Sequence, residues 1–483
     1  MIRIALSTRM PFSTLAQLED TLLRMRLVDP AHLQEAKRML GGHANIEGLI
    51  RELEALGVLT SYQSGILKKG ETEGLRVGGY KLLYRNASGS FARVFRGAAL
   101  DGGQMVAIKV LRQRLATDPR AVMLFRREGE LGKRLQHKNI VPIYEVGSDG
   151  NQHYFTMEFV EGGNFRDFIK IRKKFSPADA TKYVLDIAEG LEYALSLGLT
   201  HRDLKLSNVL LSAQGVAKLV DFGLAGQDAS FASIDEEVDR AIEYATIEKN
   251  TGAPVNDPRS DLYFLGAIYY ELLTGQPPYP PSKRAEDRKL FSRYRDVRPV
   301  RNLDPSLPWG ICEIVDKLMT IDPDMRYQSP SEVVADLRRI NGAAAESSSA
   351  TSDEPAPKAA PVVICVENRA KQQDALREYF TKHGYRVLVL TDPIRALNRV
   401  DSDQPAGLIF IGEALGKEVV PVFQAAVKRC RKKGVPVVLA LSKKLKTLAE
   451  ELPESPGGRV LTDAVTLRDI RHALSEMRDA ATK

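Results

Sequence analysis

The stretch His201-Arg202-Asp203-Leu204-Lys205-Leu206-Ser207-Asn208 constrains this chain more than any other. It is densely polar, yet apolar runs bracket it, Val184–Leu191 before and Val209–Leu211 after. Such a segment reads as a polar loop carried on a rigid scaffold, the usual setting for functional residues. A second motif, Asp221-Phe222-Gly223, follows the apolar Ala217–Val220, which reads as a strand. An amide and a carboxylate at Asn208 and Asp221 are hard oxygen donors. They suit Mg²⁺ rather than the metals that Cys and His select.

Two further groups lie upstream. Val106-Ala107-Ile108-Lys109 reads as a short buried strand ending in one lysine, and Glu128 falls on a helix in Phe125-Arg126-Arg127-Glu128. Singly they are ordinary: an edge lysine and a solvated helical glutamate. Phosphoryl transfer needs positioning and neutralisation of phosphate charge more than covalent help, and the ordered set supplies both.

In this order the motifs resemble the catalytic domain of bacterial eukaryotic-like Ser/Thr protein kinases, over residues 78–341. The resemblance implies a bilobal α+β fold that binds Mg-ATP, with Mn²⁺ as a second candidate metal. It implies that Lys109 holds the α- and β-phosphates and that Glu128 orients Lys109. Asp203 would accept or orient the proton of the attacking hydroxyl, and Lys205 would neutralise the transferring phosphate. Asn208 and Asp221 would hold the metal. The lysine at Lys205 favours the Ser/Thr class over tyrosine kinases. Met157-Glu158-Phe159-Val160 looks like the hinge, with Met157 as gatekeeper and Glu158 and Val160 offering backbone groups to adenine. Ala87, Gly89, Val94 and Ala107 complete the nucleotide-binding set. Asp261, in Arg259-Ser260-Asp261-Leu262-Tyr263, is expected to brace the catalytic loop, and Arg326, after Asp322-Pro323, to pair with Glu248.

Three positions depart from the family pattern. The phosphate loop, Ala87-Ser88-Gly89-Ser90-Phe91-Ala92-Arg93-Val94, keeps only the middle glycine of G-x-G-x-x-G-x-V. Glycine lets backbone approach phosphate and take left-handed dihedrals, so the loop is expected to be stiffer. In the activation segment, Arg240–Glu248, Ala241 and Ile247 replace the usual threonine and proline. Asp228, Asp235, Glu236, Glu237, Asp239 and Glu243 make the stretch Gln227–Glu243 acidic. Either they stand in for a phosphate facing Arg202 or they form a solvated acidic loop; Ser230 and Ser233 are candidate phosphosites. Gly132, one turn after Glu128, lies where the family puts an apolar side chain. Glycine there weakens a helix by roughly 1 kcal/mol against alanine.

The chain has 483 residues, enough for about three folded units at roughly 100–200 residues each. Residues 1–77 read as a helical leader, with Ser13 as a cap, Pro30 and Gly41–Gly42 as punctuation and a helix at Ile46–Leu56. Residues 342–360, rich in Ala, Ser and Pro, read as a flexible linker. Residues 361–483 alternate strand and helix, the pattern of a doubly wound α/β sheet. They resemble a response-regulator receiver domain, but the acidic pair falls on Val366-Glu367, the phosphate acceptor on Gly412 (or, with a one-residue slip, on Glu413, which is not the usual acceptor either) and the lysine on Asp463. The reading is a pseudo-receiver for a signalling partner. The net charge is +7, yet the densest basic run, Lys428–Lys433, ends at Gly434, where cations suit a helix terminus. No aromatic residues interleave with it, so nucleic acid is not expected. No stretch reaches the roughly 18 apolar residues of a membrane span, and the three scattered cysteines point to a cytoplasmic protein. The expectation is a multidomain Ser/Thr kinase acting on a protein substrate, itself included. The alternative is an ATP-binding pseudokinase scaffold.

Overall fold

The computed structural model describes residues 12–222, 235–282, 284–349, 361–390, 393, 396–397, 399–400, 404–416, 419–452, 457–462 and 465–481, with backbone only for 235–241, 342–349 and a few scattered positions. The chain divides into two compact units, one holding most residues up to Glu346 and one running from Ser347 onward.

The first unit opens with four helices, α1 (Leu15–Arg24), α2 (Pro30–Leu40), α3 (Ile46–Ala55) and α4 (Ser61–Leu67). Leu18, Leu22, Leu33, Leu49, Ile50 and Leu53 recur at helical spacing and form their shared core. The cap of α1 is Thr14 rather than Ser13: its side chain accepts from the Gln17 N–H, while the Ser13 N–H donates to Gln17 Oε1 at 2.9 Å. The residue whose hydroxyl reaches the free amide wins, and that is the one at the boundary itself. Pro30 starts α2, where its missing N–H costs nothing, and Gly41 ends it at φ +57°. Thr60 and Gln63 close a reciprocal capping box on α4.

A six-stranded antiparallel sheet follows in the order β1-β2-β3-β4-β6-β5. Its strands are β1 (Arg76–Val77), β2 (Tyr80–Ser88), β3 (Ala92–Ala99), β4 (Met105–Leu111), β5 (Ile143–Asp149) and β6 (Gln152–Glu158), with α5 (Pro119–Lys133) between β4 and β5. The four-helix leader docks on β2. Thr60 Oγ1 donates to the Leu83 carbonyl at 2.6 Å, where the β2–β3 register shifts between Leu82 and Tyr84. The Lys81 ammonium donates to the Leu27 carbonyl at 3.1 Å, and the Tyr62 ring lies 6.0 Å from Phe95.

Below the sheet lie α6 (Phe165–Arg172), α7 (Pro177–Ser196), the hairpin β7 (Val209–Leu211) and β8 (Ala217–Leu219), α8 (Asp235–Thr251), α9 (Pro258–Thr274), α10 (Ala285–Arg288), α11 (Ser292–Arg295), α12 (Trp309–Leu318) and α13 (Pro330–Ser349). Their core centres on α9, buried from Ser260 to Tyr270. Helix α13 continues to Ser349, so residues 342–349 are helical rather than the flexible linker that composition suggests. Ala343, Ala344 and Ala345 are the best helix formers, and the first prolines of that stretch come only at Pro355 and Pro357. Among the described residues, no helix is long and apolar enough to cross a membrane.

The second unit is a five-stranded parallel sheet in the order β10-β9-β11-β12-β13. Its strands are β9 (Val362–Val366), β10 (Arg386–Leu390), β11 (Gly407–Ile411), β12 (Val437–Ala440) and β13 (Gly458–Leu461), with α14 (Ala370–Lys382), α15 (Val419–Arg431) and α16 (Leu467–Ala481) as its longer helices. Strand and helix alternate as expected, with β13 carrying the weakest signal. Its sequence, Gly-Arg-Val-Leu, is too short and too glycine-led to announce a strand. The strand order, not the strand direction, reverses between β9 and β11, the place where such sheets put their sites. There Glu367 is fully buried and saturated. It accepts from the Asn368 and Arg369 N–H groups, both at 2.9 Å, and from the Arg369 guanidinium at 3.0 and 2.8 Å. Gly412 follows β11, and a Cβ there would lie 2.6 Å from Leu441 Cδ2.

Candidate active site

The site grows from β4. Alternation along Val106-Ala107-Ile108-Lys109 is overridden by burial on both faces, so Lys109 is only 3% exposed. A buried ammonium must be paired. It donates to Glu128 Oε1 at 2.5 Å and to Asp221 Oδ1 at 2.8 Å. Glu128 comes from α5, which starts cleanly because Asp118 caps it and Pro119 opens it. Residues 19 and 112 positions away in the chain thus meet on one lysine.

Asp221 holds φ +57° and Arg202 holds φ +60°. Left-handed backbone at non-glycine residues costs about 1–3 kcal/mol each and persists only where surroundings over-determine it. For Arg202, Asp261 at the start of α9 supplies that restraint. Its carboxylate accepts the His201 N–H at 2.7 Å, the Arg202 N–H at 3.0 Å and the Tyr244 hydroxyl at 2.9 Å. Tyr244 in turn accepts from the Leu204 N–H at 3.1 Å. His201 is fully buried, its Nε2 lies 3.1 Å from the Val220 carbonyl and its ring sits 4.5 Å from Phe222. Burial holds its pKa below the ordinary value.

Asp203, Lys205 and Asn208 form a second cluster. The Lys205 ammonium donates to both Asp203 carboxylate oxygens at 2.8 Å. Asn208 Nδ2 donates to the Asp203 carbonyl and to Oδ2, both at 2.8 Å. Two bonds fix the amide's nitrogen, so its Oδ1 is turned the other way and among the described residues meets only Ser207 Oγ, at a long 3.5 Å. The Val220 N–H donates to the Asn208 carbonyl at 3.0 Å, tying this cluster to the strand that leads to Asp221.

Residues 86–336 match the family model described as protein kinase domain. The chain belongs to the protein kinase family. It is similar to the serine/threonine-protein kinase PknB of Mycobacterium leprae, 34% identical over 246 residues, covering 49% of this chain and 39% of that protein. A probable serine/threonine-protein kinase of Streptomyces coelicolor is 34% identical over 274 residues, 54% of this chain and 40% of the relative. PknB of Mycobacterium tuberculosis is 33% identical over 247 residues, 49% and 38%. The chain spans about two fifths of the length of these relatives.

In kinase terms, Met157, the last residue but one of β6, lies in register with Ala107 and is 8% exposed. The Glu158 side chain pairs with Lys218 at 2.6 Å. Behind Met157 lies a cavity of about 20 Å³ whose walls include Glu128, Gly132, Ile143, Asp221 and Phe222. A Cβ on Gly132 would collide with Ile143 Cδ1, so Ile143 from β5 fills the space left by the missing side chain. Ala87 and Val94 face each other across β2 and β3. Gly89 does not occupy the left-handed region, so backbone dihedral alone does not demand glycine there.

The activation segment lies partly outside the described residues: Gly223, Asp228, Ser230 and Ser233 fall there, as do the side chains of Asp235, Glu236, Glu237, Asp239 and Ala241. From Asp235 to Thr251 the backbone is one helix, α8. Ile242, Tyr244, Thr246, Ile247 and Glu248 are buried on its inner side. Glu243 is half-buried. Burial raises its pKa, and the neighbouring Arg293 and Arg288 charges oppose the rise. Arg202 is 7% exposed, and its Nη1 has no partner among the described residues. Arg326 differs from expectation. It donates to the carbonyls of Thr320, Arg259 and Ile321 at 2.9, 2.6 and 3.0 Å, while Glu248 accepts from Ser260 Oγ at 3.2 Å. A guanidinium's fork matches converging carbonyls as well as it matches a carboxylate. Tyr244 falls within the Arg240–Glu248 motif but is given no role from the sequence, and its contact to Asp261 is a finding of the structure. Its signal is a lone tyrosine four residues before Glu248.

Proposed function

We propose that the chain is a Ser/Thr protein kinase that transfers the γ-phosphoryl of Mg-ATP to a protein hydroxyl. The observation that carries this reading is Lys109 held between Glu128 and Asp221, with the Asp203–Lys205–Asn208 cluster tied to the same strand end. Lys109 binds the α- and β-phosphates, and Glu128 keeps its ammonium in place. Adenine meets the Glu158 and Val160 backbone beside Met157, between Ala107, Val94, Ala87 and Gly89. Asp203 accepts the proton of the attacking hydroxyl, positioned help worth roughly 10²–10⁴-fold. Lys205 offsets charge on the transferring group.

The donors fit Mg²⁺. Asp221 offers a carboxylate, and Asn208 offers the amide oxygen its two donated bonds leave turned away from Asp203. When bound, the metal would neutralise phosphate charge.

Labelled γ-phosphate transfer to the chain itself and to a basic protein tests the reading, with Mg²⁺ and with Mn²⁺. Wild type should incorporate label, and Asp203→Asn should lose transfer while still binding ATP. Full activity in that variant would remove Asp203 from its role. A second reading, a nucleotide-binding scaffold, has one supporting feature: α8 runs as a helix through the segment that in the family docks peptide substrate. ATP binding without transfer by the wild type would favour it.

We further read residues 1–77 as a leader, 78–341 as the kinase domain and 361–483 as a receiver-like module. Support for the last is the strand order with the reversal between β9 and β11. Its acceptor position is Gly412, crowded by Leu441, and its acidic position, Glu367, is neutralised by Arg369, so it serves a signalling partner rather than carrying phosphate. Cys312, Cys365 and Cys430 are buried and not joined in disulfides, which suits a reducing cytoplasm.

A further inference from the structure

The phosphate loop has lost two of its three expected glycines, and the structure shows what holds it instead. Arg112, just beyond the end of β4, donates from Nε and Nη2 to the Gly89 carbonyl at 2.9 and 2.6 Å and from Nη2 to Ser88 Oγ at 2.9 Å. Arg114 Nη2 donates to the Ser90 carbonyl at 2.5 Å. The Arg112 N–H donates to the Phe91 carbonyl at 3.0 Å. The Phe91 side chain is buried beneath the loop, 6.4 Å from the Phe125 ring of α5. Three successive carbonyls of the loop tip are therefore claimed by the Gln113-flanking arginines.

Those peptides are trans. In a planar trans peptide the C=O of one residue and the N–H of the next point in opposite directions. With the Gly89 and Ser90 carbonyls drawn to the guanidinium groups, the Ser90 and Phe91 N–H groups face away from them. Successive N–H groups on one side of a turn make an anion-binding concavity. We propose that Arg112 and Arg114 are positioning residues that clamp the phosphate loop from outside and aim the Ser90 and Phe91 N–H groups at the ATP phosphates. The clamp does by external hydrogen bonds what glycine-rich loops do by backbone freedom. This rests on the ATP-site reading above.

The test is calorimetric binding of Mg-ATP and of adenosine to the full chain, wild type against Arg112→Ala/Arg114→Ala, with steady-state kinetics beside it. The double variant should bind Mg-ATP about tenfold more weakly, with KM raised to match, while adenosine affinity and kcat change less than about twofold. Equal weakening of ATP and adenosine would make the arginines structural and overturn the proposal, as would unchanged ATP affinity. If the alanine variant does not fold, Arg112→Lys replaces it: an ammonium reaches one carbonyl but cannot bridge Gly89 and Ser88, so ATP alone should weaken. A wild type that binds ATP but transfers nothing removes the kinase reading and leaves the clamp standing on its binding data. A wild type that binds no ATP overturns both.

Discussion

Tyr244→Phe isolates one hydroxyl that joins the activation segment to the catalytic loop. The phenol donates to Asp261 Oδ1 at 2.9 Å and accepts from the Leu204 N–H at 3.1 Å, and the residue is 3% exposed. Phenylalanine keeps the ring and its stacking on Phe264 at 4.2 Å, so packing is preserved and only the two bonds go. A hydrogen bond to a charged group contributes about 1.5–3 kcal/mol, and a buried N–H left unpaired costs about 1–3 kcal/mol. Asp261 retains the His201 and Arg202 amides, which limits the loss, and the two contributions are not strictly additive. The expected destabilisation is about 3 kcal/mol. For domains of this size that lowers the melting midpoint by roughly 6–12 °C. Calorimetry of the full chain reads it directly. The effect has a pH signature: burial and the Asp261 charge raise the phenol's pKa well above its ordinary value. The hydroxyl therefore stays protonated, and the difference between variant and wild type should stay flat from about pH 7 to 9. A midpoint within about 1 °C of wild type would refute the claim that this bridge restrains the loop.

Other perturbations follow from the same geometry. Arg326→Lys should destabilise by about 2–4 kcal/mol, because an ammonium cannot span three carbonyls; a melting midpoint like wild type would show that the Thr320, Ile321 and Arg259 carbonyls find other donors. Arg369→Ala should strip a guanidinium from a fully buried carboxylate and lower hydrogen-exchange protection of Val363–Val366 by about 2–4 kcal/mol; unchanged protection would mean the Asn368 and Arg369 amides suffice for Glu367. Burial depresses the His201 pKa. The unfolded chain therefore takes up a proton below about pH 6.5 that the folded chain refuses, and stability from this group is intact above that pH and lost as pH falls through it. His201→Gln should flatten the fall in melting midpoint between about pH 6.5 and 5.5, and an identical slope would clear His201 of the effect.

The chemistry-bearing residues were legible because their side-chain types and order are dictated by what phosphate and metal require. Lys109, Glu128 and Asp221 do meet, and Asp203, Lys205 and Asn208 do share one cluster. The groups that hold them were less legible. Asp261 was read as a brace, yet the role of its third partner, Tyr244, was missed: the tyrosine lies in the activation-segment motif, but nothing in the sequence says that its hydroxyl reaches a carboxylate 17 residues away. Arg326 was assigned an anion and took carbonyls instead, since sequence names the charge but not the acceptors that packing brings near. Gly132 was read as a gap, and Ile143, 11 positions on, fills it. The phosphate loop shows the same division. The loss of glycines was visible in the sequence, but Arg112 and Arg114 carry no motif, and only the structure puts the loop carbonyls within their reach. A motif is conserved chemistry written locally; its restraints come from long-range packing, which is free to choose among many residues that could hydrogen-bond equally well. Where a motif is degraded, as here at Ala87 and Ala92, the informative search is therefore among ordinary polar residues on the next strand, not within the motif itself.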